Sequence, residues 1–211
     1  PPTRQGATLM TWFRFPSQTA ALIVAIAAGA IGTIPTHAVA DGCSEANAWV
    51  AQNANSLPKT YDEFVQQPTM YRKAIYSASS PETKAALWRD HLNRYLQEHP
   101  ELNSEQTEFI RETIAKLTPE LFRNTTAPAV SPQVVAIRAR SEELFSKEEA
   151  GLLIAQLGPV EDAATLAVKC TCSTKSDYCG SGHDCYLANC DQVNGCGDLW
   201  LYKCDGICYS P

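Results

Sequence analysis

Eight cysteines, Cys170, Cys172, Cys179, Cys185, Cys190, Cys196, Cys204 and Cys208, fall within 39 residues, whereas Cys43 is alone in the 169 residues before them. A segment of about 40 residues rarely buries enough apolar surface to offset its chain entropy, and each native disulfide adds about 2–4 kcal/mol. Leu187, Val193, Leu199 and Ile207 supply little aliphatic surface here. Covalent bridges therefore dominate the stability expected of residues 170–211. The intervals between the cysteines are 1, 6, 5, 4, 5, 7 and 3 residues. No C-x-x-C occurs in that series, neither as a pair of zinc ligands on one turn nor opening a helix, which points away from a metal site and from a thioredoxin-like centre. Eight cysteines admit on the order of 100 pairings, and the spacing leaves the choice open. Short strands are expected around "DLWLYKC" and "GICYS", with turns at "NG" and "DG".

The compartment follows from the other end. Arg4 and Arg14 precede the uncharged 15-residue run Ala20 to Ile34, which ends at Pro35 and is followed by "AVA" at Ala38 to Ala40. A span of the hydrocarbon core needs about 20 apolar residues. The run is shorter and has the layout of a secretory signal, so residues 1–40 read as a signal peptide and the mature chain as secreted, outside the cell or in periplasmic transit. Asp41 sits two residues ahead of Cys43, against the small or apolar approach that lipidation of that cysteine would want. Cys43 is then a ninth, odd thiol.

Residues 41–157 read as a small helical bundle. "SSPETKAALWRDHLNRYLQEHP" offers Ser79 and Glu82 as a capping box with Pro81 in the first turn. Leu87, Trp88, His91, Leu92, Tyr95 and Leu96 then recur at three and four residue spacings. Asn103 with Gln106, and Ser146 with Glu149, repeat the device ahead of apolar stripes at Phe109, Ile110, Ile114 and Leu117 and at Leu152, Leu153 and Leu157. Val134, Ile137, Leu144 and Phe145 mark a further helix, and shorter ones end near Pro58 and Pro68. Such helices can close a core among themselves. Gly158 and Pro159 stop the last of them, and residues 158–169 read as a linker to the disulfide-rich module of short strands and loops at 170–211.

Charge and motif content narrow the function. The chain carries a net charge of −6, without the basic face that nucleic acid requires. Charges of both signs are interspersed along the helices as on a solvated surface. HExxH, G-x-S-x-G and phosphate-loop motifs are missing, and His91, His99 and His183 stand in contexts that imply no catalytic group, so neither an enzyme nor a cofactor is expected. Asp177, Asp184, Asp191, Asp198 and Asp205 fall every seven residues, but calcium loops place oxygens at every second residue. That period is read as coincidence.

The run Cys170, Cys172, Ser173, Thr174, Ser176, Asp177, Tyr178, Cys179, with "GCG" at Gly195 to Gly197, resembles the bacteriocin fulvocin C-related family of disulfide-bonded precursors. The helices around Leu87 and Trp88 look like the helical segment of such precursors. The resemblance implies a secreted antibacterial C-terminal peptide carried behind a helical precursor region. "TLAVK", Thr165 to Lys169, reads as an accessible approach where a processing protease would cut and leave the helices as a propeptide. The alternative is that both regions stay joined and the helices display or anchor the tail. From Cys170 onward two lysines face five aspartates, so the cationic face that draws peptides to anionic membranes is lacking. Recognition of a component of the target cell surface is expected instead, with Tyr178, Tyr186, Trp200, Tyr202 and Tyr209 as anchors. The competing expectation is a secreted, stapled binding module such as a protease inhibitor, without killing activity.

Overall fold

Pro68 and Pro81 divide the first part of the chain into helices by removing amide donors where each new helix begins. The computed structural model describes residues 42–123, 131–159, 170–180, 182–190 and 192–210, with side chains from Ser44 onward. The expected signal peptide, most of the expected linker and the Cys43 side chain lie outside the described residues. Seven α-helices are described: α1 Gly42–Gln52, α2 Tyr61–Val65, α3 Thr69–Ala78, α4 Pro81–Glu98, α5 Ser104–Lys116, α6 Pro132–Leu144 and α7 Lys147–Ile154, with a short 3-10 turn at Pro119–Phe122. None of the described helices is long and apolar enough to cross a membrane.

Capping fixes where these helices begin. Asn103 and Gln106 form a reciprocal capping box at α5, and Ser146 and Glu149 form another at α7, as expected. At α4 the cap moves by one residue. Ser80 accepts from the Thr83 amide, while the Ser79 hydroxyl donates back to the Ile75 carbonyl and so closes α3. Two serines in sequence serve two helix ends.

The apolar stripes meet as expected: Leu87, Trp88, Leu92, Ile110, Leu117, Val134, Leu153 and Leu157 are completely buried. Leu152 departs from the pattern and is half exposed. Arg72 of α3, also buried, donates to the carbonyls of Leu157 and Pro159 and to the Thr69 hydroxyl, so the end of the helical region is tied to α3. Burial of a guanidinium is tolerated when fixed carbonyl and hydroxyl oxygens replace its water.

After Cys170 the chain forms two small antiparallel ribbons. β1 Asp184–Leu187 pairs with β4 Gly206–Tyr209, and β2 Val193–Cys196 pairs with β3 Tyr202–Cys204. "NG" is not a turn. Asn194 and Gly195 lie inside β2, where Gly195 at φ 98° makes a bulge that shifts the register, because a residue in the left-handed region cannot continue a regular ladder. "DLW" is not a strand either; Asp198–Trp200 is a 3-10 turn.

Four disulfides, Cys170–Cys190, Cys172–Cys185, Cys179–Cys208 and Cys196–Cys204, join this region, with Cα separations of 5.1–5.9 Å. Among the described residues, all the bridges lie within 170–208. Bridges of this number point to an oxidising compartment, extracellular or periplasmic. The helices and the ribbons belong to one compact unit, Ala38–Pro211. They share one apolar core, because Leu199 and Trp200 of the cysteine-rich region are buried among the residues of the helices.

Candidate functional site

The motif that opens the module is built for architecture. Asp177 accepts from the amides of Cys179 at 2.8 Å and Cys185 at 2.9 Å, bracing the loop that carries two of the bridges. The Thr174 amide and hydroxyl donate to the two carboxylate oxygens of Asp205 at 2.8 and 2.9 Å. The Ser176 hydroxyl accepts from the Asp198 amide at 2.9 Å. Tyr178 donates to Asp198 Oδ1 at 2.6 Å. Thus Thr174, Ser176, Asp177 and Tyr178 of the opening motif are all engaged in holding the loop. Cys172, Cys179 and Cys185 bring three sulfurs within 4.8 Å of one another because two bridges run side by side.

The five expected anchor aromatics divide between two faces. Tyr186 and Tyr209 stand on the β1–β4 ribbon, 46% and 60% exposed, with rings edge to face at 6.3 Å. Ile207, directly opposite Tyr186 in the register, joins them, and the neighbouring Leu187 is 73% exposed. The ribbon is held flat against the staples through Cys185 and Cys208. Gly206 is required there, since a Cβ would meet the Tyr186 carbonyl oxygen at 2.4 Å. The result is a small apolar surface on a covalently fixed frame.

Trp200 is not on that surface. Leu199 and Trp200 adopt φ of 51° and 55°, a conformation that bulky residues rarely take and that costs on the order of 1–3 kcal/mol each. This turns both side chains into the helices. The Trp200 indole lies edge-on to Tyr76 at 5.4 Å and to Trp88 at 6.4 Å, near Phe64, and its Nε1 donates to the Ala155 carbonyl at 2.9 Å. Tyr76 donates to the Leu199 carbonyl at 2.9 Å and accepts from Trp88 Nε1 at 3.1 Å. Burial raises the Tyr76 pKa far above the ordinary phenol range, so the donor keeps its proton. As an anchor for an outside target Trp200 is thus withdrawn, because the helical core already surrounds it.

Tyr178 and Tyr202 belong to the same seam. Asp198 is fully buried and pairs with Arg138 of α6, whose Nε lies 2.8 Å from Oδ2 and whose Nη2 contacts the same oxygen. Arg138 also donates to the Tyr202 hydroxyl at 2.9 Å and to the Lys175 carbonyl at 3.1 Å. Desolvation disfavours the Arg138 cation, but the hydrogen bonds and charge of Asp198 more than offset it. Burial, reinforced by the Asp198 charge, raises both tyrosines above their ordinary value and keeps them as neutral hydroxyls. Lys73 of α3 completes the seam, its Nζ 3.4 Å from the sulfurs of both Cys196 and Cys204. Nothing in "VVAIRAR" or "DLWLYKC" marks Arg138 or Trp200 as seam residues. Charge pairing between distant segments leaves no local period to read.

Beside the seam lies an open cleft of about 380 Å³ between Met70, Lys73, Gly151 and the half-exposed Leu152 on the helical side and Tyr178 and Trp200 on the other. His91 reaches the same end of α7, bonded to the Tyr61 hydroxyl at 2.9 Å and to the Leu152 carbonyl at 3.0 Å, a role in packing. The ribbon and the seam together give a small stapled module suited to binding. No family model matches this chain, and no curated protein or solved structure matches it either.

Proposed function

We propose that the chain is the precursor of a secreted, bacteriocin-like antibacterial peptide of the fulvocin C-related kind, with the helical region serving as propeptide. Residues 1–40 direct export, and a processing protease cuts within residues 158–169. The stapled module then binds a component of the target bacterial surface through Tyr186, Ile207 and Tyr209. The acidic module has no cationic face for lipid, so this apolar ribbon is the surface through which recognition proceeds. The observation that carries the reading is the division of the module's aromatics into an exposed ribbon and a second face, around Trp200, that the helices cover. The helices cover the Trp200 face and leave the ribbon open, so the intact precursor presents only one of the module's two faces and is held inactive until the helices leave. The polar groups of the opening motif are taken up by structural hydrogen bonds, which favours binding over catalysis.

One observation favours a second reading. Because Leu199 and Trp200 complete the helical core, the two regions also suit a permanently joined binding protein, such as a secreted protease inhibitor. Growth inhibition by the full secreted chain and by an oxidised peptide beginning near Lys169 separates the two. The precursor reading expects killing by the peptide and little by the intact chain. Equal potency contradicts the propeptide role, and absence of killing by both oxidised forms favours the joined binding protein.

A further inference from the structure

We infer that the helical region is itself a tight, noncovalent binding partner for the module, so that a cut in the linker leaves the two parts in one complex and a separate event must remove the helices. Each side of the linker is fixed independently: Arg72 holds the carbonyls of Leu157 and Pro159, and the Cys170–Cys190 bridge holds the start of the module. Among the described residues no disulfide joins the two parts, so the seam alone keeps them together. That seam has the composition of a strong interface. A tryptophan fills an aromatic socket of Phe64, Tyr76 and Trp88, an arginine meets a fully buried aspartate, and both are ringed by tyrosine hydroxyl bonds. Tryptophan, tyrosine and arginine in desolvated pockets carry most of the binding energy in known interfaces. The module needs no refolding to dock, since four bridges hold its shape and little ordering is left to oppose association.

The inference takes linker cleavage from the proposed function, and its test supplies the cut artificially. Residues 41–211 are produced oxidised with a specific protease site substituted into residues 162–168, cleaved while folded, and run by gel filtration at about 1 µM, a concentration at which only a specific complex survives. The two fragments are expected to co-elute and to separate only in denaturant. Trp200→Ala is expected to weaken their association by at least about thirtyfold. Arg138→Gln, which keeps the aromatic socket whole, is expected to weaken it as well and carries the test should Trp200→Ala misfold. Separation of the wild-type fragments at this concentration overturns the inference, as does undiminished association in Arg138→Gln. In growth assays the cleaved but unseparated complex is expected to be inactive and the isolated module active. A complex as potent as the isolated module overturns the masking. An isolated module that kills nothing overturns the antibacterial reading and leaves the association standing.

Discussion

Leu87, Trp88 and Leu92 are buried in the helical region by the same rule that spaces them three and four residues apart, whereas in the module the buried positions include Ser173, Ser176 and Asp198 beside the cystines. One region is held by apolar area, the other by covalent loops and polar bonds. The helices could exchange one aliphatic side chain for another at modest cost. The module could not, because Thr174, Ser176 and Asp177 each answer a specific carboxylate or amide. Leu199 and Trp200 are the exception, apolar residues placed by the stapled frame into the other region's core. The difference teaches that the staples serve the helices too, by presenting Trp200 in a conformation that an open chain would rarely adopt.

The largest single effect is therefore expected at the point where the two regimes meet. Trp200→Ala empties an aromatic socket, and large-to-small changes of this kind cost about 3–5 kcal/mol. Denaturant unfolding followed by far-ultraviolet circular dichroism should show the loss in the helical signal, although the substitution lies in the module. An unchanged midpoint would separate the two regions energetically.

Within the module the bridges should rank by the loop they close. Replacing both Cys179 and Cys208, 29 residues apart, is expected to cost about 3.5 kcal/mol, against about 2.5 kcal/mol for Cys196 and Cys204, eight apart. Pairwise serine variants compared in denaturant would show the order. The reverse order would mean that the contact of Lys73 with Cys196 and Cys204 outweighs chain entropy.

Sharper contrast comes from the ribbon. Tyr186→Ala and Tyr209→Ala remove exposed rings, so stability should change by no more than about 0.5 kcal/mol while growth inhibition by the isolated module falls at least tenfold, about 1.4 kcal/mol in binding. Full activity in both variants would move the target contact elsewhere.

The smallest effect is one of pH. Desolvation lowers the His91 pKa below its ordinary 6.5 in the folded chain, with the Leu152 carbonyl opposing that shift only in part. The unfolded chain then binds the proton more readily, so the stability due to neutral His91 is present above pH 6.5 and declines as pH falls below it. His91→Gln should flatten that part of the stability profile. A profile unaltered by the substitution would assign the pH dependence to other groups.

Helix starts at Asn103 and Ser146 were legible because a cap and a stripe are local signals. So was the density of cysteines, though not their pairing, which depends on three-dimensional proximity that spacing does not encode. Ser79 against Ser80 could not be decided from "SSP", where either hydroxyl reaches an amide. Trp200 read as an anchor together with the other aromatics of the module, and only the positive φ at Leu199 and Trp200 turns the ring inward. Asp198 was one of five aspartates in an even series, and its partner Arg138 is 60 residues away. Tyr186 and Tyr209 were read only with the other aromatics, and it is the β1–β4 pairing that sets the two together on an exposed face.

The central claim is that the module completes the helical core. It is tested most directly by comparing the unfolding of residues 41–160 with that of residues 41–211 under oxidising conditions, both followed through the helical signal. The account predicts that the shorter chain, lacking Leu199, Trp200 and the Asp198 partner of Arg138, unfolds at a clearly lower midpoint and with a shallower transition. Identical midpoints and slopes would contradict it and make the helices a self-sufficient domain.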